Sequence, residues 1–457
     1  MQKKILAVFL AISFVFISGA GCKITNKGVE EAAKPITLNY WRVFDGEDDF
    51  TEMIAAYKAL YPHITINYRL LRYDEYENEI LNALAEDRGP DIFSIHNTWV
   101  KKYQNKLAPM PPVTTMVSQK LIGSIKKELV SELTTANSLT LKSLKDNFAE
   151  VVYNDVVIDN QIYGLPLSVD TLAMYYNRDL LNNAGIVQLP VYWNRDFLIT
   201  VNKLTRLDSR QGIVQSGAAL GGAYNISRSP DILAALMMQN GAVMESNGVI
   251  SFNQVPAFAK ETGYNPGLEA LRFYSDFANP IKESYTWNEE LNNSLDMFIS
   301  GNLAIMFTYS YDIETIKSRA PKLNFSVTNL PQIEGNPPTN INFANYWLES
   351  VSNKSKHQNE AWNFIQFITR AENVKSYLEK TNKPTALKIL IPEQLKNDEI
   401  GIFASQILTA KSWYQGMNPQ AAETAIREMV LSVVNNPSGK IQDIINITAT
   451  RIQQTIK

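Results

Sequence analysis

The chain has one cysteine, Cys22, in 457 residues, so it can close no internal disulfide and must draw its stability from burial alone. It has only three histidines, His63, His96 and His357, and none stands at metal-ligand spacing with another histidine or with Cys22. The phosphate-cradling GxxxxGKS/T loop, the dinucleotide fingerprint GxGxxG and the GxSxG nucleophile elbow are all missing. So are basic runs: the formal net charge is −3, which argues against nucleic acid or an anionic membrane surface as a partner. The acidic run Asp45–Asp49 lacks the spacing of a calcium loop and reads as a solvated helix start, where the dipole favours acids. Glu289 and Glu290 are the kind of paired acids a glycosidase uses, but sequence neighbours say nothing about separation across a cleft, and both are expected to be exposed. No cofactor, metal or catalytic group is therefore expected.

What the chain does have begins at its N-terminus. Lys3 and Lys4 precede an almost unbroken apolar run, Ile5 to Ile17, and then Ser18-Gly19-Ala20-Gly21 leads to Cys22. A charged start, a core of about 13 apolar residues and small residues before a cut make a secretory signal, too short to remain as a membrane span. A cysteine directly after the cut is where bacterial lipoproteins carry their acyl chains, so lipidation of Cys22 is expected, although Gly19 stands where leucine is usual. Removing residues 1–21 leaves 436 residues, too many for one compact core, so two domains are expected. Without Lys3 and Lys4 the charge becomes −5.

Residues 22–35 are polar and read as a linker. Ile36 to Trp41 alternates as a strand; Phe50, Met53, Ile54, Tyr57 and Leu60 recur at helical spacing; Pro62 stops that helix. Ile64, Ile66, Tyr68 and Leu70 alternate again, Tyr76 to Leu84 is helical, and Asp91 to Ile95 follows Gly89-Pro90 as a third strand. This β-α-β-α-β order predicts a parallel sheet covered by helices. Further on, Ser229-Pro230-Asp231 reads as a helix start with Ser229 as N-cap, and Gly241 as its end. Leu268 to Phe277, Trp362 to Ile368 and Ala425 to Val434 read as further helices, and 331–340 as a loop. Trp41 and Trp362 suit core positions, and Trp287 suits a cleft rim or plain surface.

Six segments in order carry a resemblance: "LYPHITINY", "RGPDIFSIHNTW", "QIYGLPLSVDTLAMYYNRDLLNNAGI", "LPVYWNRDFLITVNKL", "MFISGNLAIMFTYSYD", and "SKHQNEAWNFIQFI" with "TNKPTAL" after it. Together they resemble the family 1 extracellular solute-binding proteins of ABC importers, the maltose-binding-like group. The resemblance implies an α/β fold of the two-lobed periplasmic-binding-protein type (class II), with parallel-rich sheets flanked by helices and a ligand cleft between the lobes. Crossings between lobes are expected near Gly164–Asp170 and Asn342–Leu348. Lobe one would combine 36–168 with 345–395, and lobe two 169–340 with 396–457. Trp193 matches a structural helix-start position. Asp170 and Tyr311 match family positions that often meet ligand, an acid on the crossing strand and an aromatic after the A-M element. A monomer is the family norm.

In open parallel sheets ligands bind beyond the carboxyl ends of the strands. That rule selects Phe44 and Asp45 after the first strand, and His96, Asn97 and Trp99 after the third. It also selects Asp170 at the first crossing, Tyr309 and Tyr311 after "LAIMF", and Asn345, Tyr346 and Trp347 at the second crossing. Trp413 and Tyr414 stand in a polar stretch outside any helix. Aromatic rings beside Asp and Asn suit a carbohydrate, whose C–H faces stack while its hydroxyls take fixed hydrogen bonds. The expected function is an extracytoplasmic receptor, tethered through Cys22, that delivers a sugar or oligosaccharide to ABC permease subunits. The alternatives are a non-sugar solute (a polyamine, a phosphodiester or a peptide) and a secreted glycan hydrolase, for which the chain carries no supporting motif.

Overall fold

The computed structural model describes residues 27–122, 128–335, 340–437 and 439–457. Cys22, the preceding signal and part of the 331–340 loop lie outside the described residues. Within them the chain forms two lobes, each with its own buried core.

The first lobe follows the alternation in the sequence. Strand Ile36–Val43 lies parallel to Ile64–Leu71 on one side and to Ile92–His96 on the other, with Tyr40 facing Tyr68 and Ile92. Helices Thr51–Leu60 and Tyr73–Ala85 make the connections. Trp347–Ser352 then pairs antiparallel with Ile92–His96, and Leu107–Ala108 pairs with it as the fifth strand. Helix Gln358–Ile368 buries Trp362, Phe364, Ile365 and Phe367 in this core, and the Trp362 indole donates to the Ala108 carbonyl at 3.1 Å.

The second lobe has a mixed five-stranded sheet in the order Arg206–Leu207, Ile213–Ala218, Leu303–Thr308, Ala173–Asn177, Phe325–Thr328. Only Ile213–Ala218 and Leu303–Thr308 run parallel. Ala173–Asn177 continues straight from the crossing, so its direction is set by where the chain leaves the first lobe. Helix Ser229–Gln239 is buried along its whole length, with Pro230 in its first turn. Ser229 is not its cap: the residue is already helical, and its hydroxyl donates to the Ala223 carbonyl at 2.6 Å. Trp193 is buried and donates to Gln239 Oε1 at 2.8 Å. Trp287 is neither rim nor surface: it is fully buried, its indole donating to Asn225 Oδ1 at 2.9 Å.

Three short strands tie the lobes together. Asp170–Thr171 runs antiparallel to Asn342–Asn345, with Asp170 opposite Asn345, and Ala410–Lys411 runs parallel on the other side. Val169 is packed in the first core and Leu172 in the second; on the return, Phe343 belongs to the second and Ala344 to the first. Helix Ile400–Gln406 divides its side chains, Ile400 and Phe403 in the second core and Ala404 in the first.

Two further features depart from the sequence reading. Lys27–Ala32, inside the polar linker, is a short helix. Val113–Ile122 and Glu128–Asn137 form a long antiparallel hairpin, which Asn359 holds by accepting from the Thr115 amide (2.8 Å) and donating to its carbonyl (2.7 Å).

Removing the Trp287 ring leaves a large void in the second core and an unpaired Asn225. Trp287→Ala is therefore expected to lower stability by about 3–5 kcal/mol. Urea unfolding checks it; an unchanged midpoint would contradict the burial described.

Candidate functional site

A cleft of about 340 Å3 lies where the lobes meet at the crossing strands. The carboxyl end of Ile36–Val43 supplies Phe44 and Asp45, the crossing strands supply Asp170 and Asn345, the first-lobe strand that follows supplies Trp347, and the second lobe supplies Ser310 and Tyr311. Seven of the thirteen residues selected from the sequence thus line one cavity: Phe44, Asp45, Asp170, Tyr311, Asn345, Tyr346 and Trp347.

Its floor is a buried ion cluster. Arg42 and Asp45 are 3% and 4% exposed, with Arg42 Nη2 2.8 Å from Asp45 Oδ2 and 3.4 Å from Glu349 Oε1. Lys383 Nζ pairs with Asp45 Oδ1, and the Tyr377 hydroxyl donates to Oδ2 at 2.9 Å. Burial works against the Asp45 charge, but Arg42 and Lys383 outweigh it and hold the carboxyl below its ordinary range. Asp45 is thus no solvated helix start; Glu47–Asp49 alone fill that role, with Asp49 accepting from the Gly46 amide at 2.9 Å.

Phe44 sits between these buried residues with φ of 75°, a backbone conformation costly for a residue with a side chain. That conformation leaves its ring 61% exposed, stacked on Tyr73 at 5.4 Å and 5.7 Å from Trp347. Trp347 is the hub of the first-lobe wall, edge-on to Tyr76 (5.7 Å), His96 (5.6 Å) and Trp99 (5.3 Å) as well. Across the cleft Tyr311 is 51% exposed and stacked on Tyr309 at 5.7 Å. One open ring from each lobe therefore borders the same cavity.

Asp170 joins the lobes at the back. Its Oδ2 accepts from the Ser310 amide (2.9 Å) and hydroxyl (2.7 Å), and its Oδ1 from the Thr171 amide (2.8 Å). Burial outweighs these donors and pushes the carboxyl up to about 7.

The other six selected residues lie elsewhere. Tyr309 is fully buried, its hydroxyl donating to Asp231 Oδ2; the strand has ended at Thr308, so Tyr309 turns inward and supports Tyr311 instead of facing the cleft. Asn97 is buried and donates to Asp155 Oδ2 at 3.0 Å. Trp99 stacks on Tyr103 at 5.8 Å, in the wall behind Trp347. Trp413 and Tyr414 border a small cavity of about 30 Å3 with His96, Arg228 and Asp231. There Arg228 forks onto Asp231 (2.9 and 2.8 Å), and burial with the nearby Arg228 charge lowers His96 to about 4, so its ring is neutral. Tyr73, Ser310 and Lys383 were missed. Tyr73 follows the second strand, where the carboxyl-end rule applies equally; Lys383 carries no local signal, because its partner Asp45 is 338 residues away.

The comparisons agree with this architecture. Residues 45–375 match the family model of the bacterial extracellular solute-binding proteins. A maltodextrin-binding protein of Bacillus subtilis is 24% identical over 403 residues, 84% of this chain and 81% of its own length. A galactooligosaccharide-binding protein of the same organism is 22% identical over 328 residues, 68% of each chain. Among solved structures, a maltose-binding periplasmic protein of Listeria monocytogenes in complex with maltose superposes with a TM-score of 0.68 at 17% identity, covering 92% of this chain and 97% of that one. The chain belongs to the bacterial extracellular solute-binding protein family.

Two tests follow from the charges. Asp45→Ala leaves Arg42 and Lys383 without their shared anion, and is expected to cost about 3–5 kcal/mol in urea unfolding. Asp170 is raised in the folded state, so its stabilising contribution is complete at pH below about 4 and is lost as pH rises through about 7. Melting temperature should therefore fall across that window in the wild type and fall less in Asp170→Asn; parallel profiles would show that Asp170 is not raised.

Proposed function

We propose that this solute-binding protein is the capture subunit of an ABC importer and that its 340 Å3 cleft takes a sugar or oligosaccharide without turning it over. The observation that carries this reading is the pair of open rings, Phe44 and Tyr311, one from each lobe, at a cavity whose remaining groups include Asp170, Ser310 and Asn345. Aromatic faces receive the C–H surface of a pyranose, and the polar groups between them receive its hydroxyls. The oligosaccharide-binding relatives support the ligand class, and their being binding proteins supports capture without catalysis.

Ligand bridging Phe44 and Tyr311 favours the closed arrangement of the lobes, and closure marks the loaded receptor for the permease. Cys22, behind its apolar leader, is the site of a lipid anchor that keeps the receptor at the outer face of the membrane. Among the described residues no helix is long and apolar enough to cross a membrane.

A thermal-shift screen of mono- and oligosaccharides is expected to give saturable stabilisation by at least one, with the sugar recovered intact. Phe44→Ala and Tyr311→Ala should each weaken that binding about tenfold to a hundredfold while leaving the apo melting temperature nearly unchanged. No response to any carbohydrate, or hydrolysis of the bound one, would refute the reading.

A further inference from the structure

The parallel strands of the first lobe end at the cleft, with Phe44 and Asp45 beyond Val43 and with His96 opposite Trp347. They begin at the opposite pole, and Ile36 enters that pole directly from the helix Lys27–Ala32. Trp347–Ser352 runs the other way, with Val351 opposite Ile92, so Ser352 and the start of Gln358–Ile368 lie at the same pole.

The hairpin of Val113–Ile122 with Glu128–Asn137 points there too. At its base the Leu139 amide donates to Gln366 Oε1 at 2.9 Å; farther along, the Thr115 amide donates to Asn359 Oδ1 at 2.8 Å. The ribbon therefore follows Gln358–Ile368 from its last turns to its first, toward the pole. Seven register pairs remain beyond Thr115, from Met116↔Thr134 to Ile122↔Glu128, about 23 Å of ribbon past that bond. Two strands alone are marginal in water, so a ribbon that runs past its support calls for cover.

Some cover comes from Lys27–Ala32, which lies against both strands, and Val117, on the face opposite Met116, is only 4% exposed. Glu128–Asn137 stays open: Val130 and Leu133 are 38% and 41% exposed, and Thr134 and Thr135 are exposed as well. The two threonine hydroxyls are met across the ribbon, by Ser118 at 2.6 Å and Thr115 at 2.9 Å, so much of what this strand exposes is methyl surface. Residues 113–137 hold three lysines against two acids, in a chain whose net charge is negative.

Cys22 stands five residues before Lys27, at most about 18 Å of chain. A lobe of this size is about 40 Å across, so an anchor at Cys22 cannot reach around it. We propose that this pole, the helix Lys27–Ala32 with the open strand Glu128–Asn137, is the surface on which the receptor rests against a lipid bilayer. The short tether supplies the attraction, since the chain has no basic run to do so. The first lobe is then the held one, and closure swings the second. The inference rests on the lipid anchor at Cys22.

The test rebuilds that anchor chemically. The chain from Cys22 onward is coupled through its only thiol to maleimide-headgroup lipid, in phosphatidylcholine vesicles that also carry nitroxide-headgroup lipid as a quencher. A fluorophore is attached through a clickable non-natural residue in place of Leu133 or of Ile281, which is 86% exposed on the second lobe. Loss of emission is expected at 133 and retention at 281. Equal emission at the two positions, or greater loss at 281, overturns the proposal. The mass of the protein taken from its own membrane reads the anchor separately. A Cys22 without acyl chains refutes the anchor and this role with it, whereas an acylated chain with equal emission overturns the surface alone.

Discussion

The pairing of Asp45 with Arg42 and Lys383 is the interaction on which the rest of the cleft depends. It joins the end of the first strand to a segment more than three hundred residues later, and Tyr68 adds a hydrogen bond to the Asp45 carbonyl at 2.6 Å. Buried Arg42, half-buried Lys383 and the buried carboxyls of Asp45 and Glu349 are expensive to desolvate, and such clusters persist when geometry compensates for it. Here Arg42, Val43 and Asp45 are all buried, and Phe44 between them takes the left-handed backbone that turns its ring outward. Its open ring is thus a product of charge pairing beneath it, not of any hydrophobic preference of its own.

A second dependence runs through Trp347. This residue begins the strand by which the chain re-enters the first lobe, and its ring touches Phe44, Tyr73, His96 and Trp99. The aromatic wall is therefore built on the crossing itself. Asp170, opposite Asn345 in the crossing sheet, reaches Ser310 in the second lobe by two hydrogen bonds. Any rotation of the lobes passes through groups that also line the cleft, which is the physical condition for coupling ligand to closure.

Sequence alone could reach the elements whose period is strong and whose partners are near. The first β-α-β-α-β unit, the buried helices near 230, 270 and 362, and Phe44 with Asp170 all carried local or topological signals. Tyr309 and Tyr311 did not separate, because once a strand stops at Thr308 no periodicity says which of two tyrosines turns inward. Trp287 was ambiguous because its polar neighbours Lys282 and Glu283 are exposed while its own indole is committed to Asn225. The hairpin over 113–137 has weak alternation in a Thr- and Ser-rich stretch, and its anchor Asn359 lies in a distant helix. The ion cluster was invisible for the same reason: its members are brought together only by the finished fold.

The interleaving of the two lobes has a consequence for how the molecule comes into being. A chain released N-terminus first presents Ile36–Val43, Ile64–Leu71 and Ile92–His96 early, but the strand that covers the edge of Ile92–His96 begins only at Trp347. Between them the whole stretch from Leu172 to Phe343 must pass, and that stretch belongs to the other lobe. The nascent first lobe therefore waits with an open strand edge and an uncovered apolar face, a state prone to pairing with the wrong strand. Neither lobe can be finished before the other is largely made, so the vulnerable period of this protein is its assembly rather than its working life.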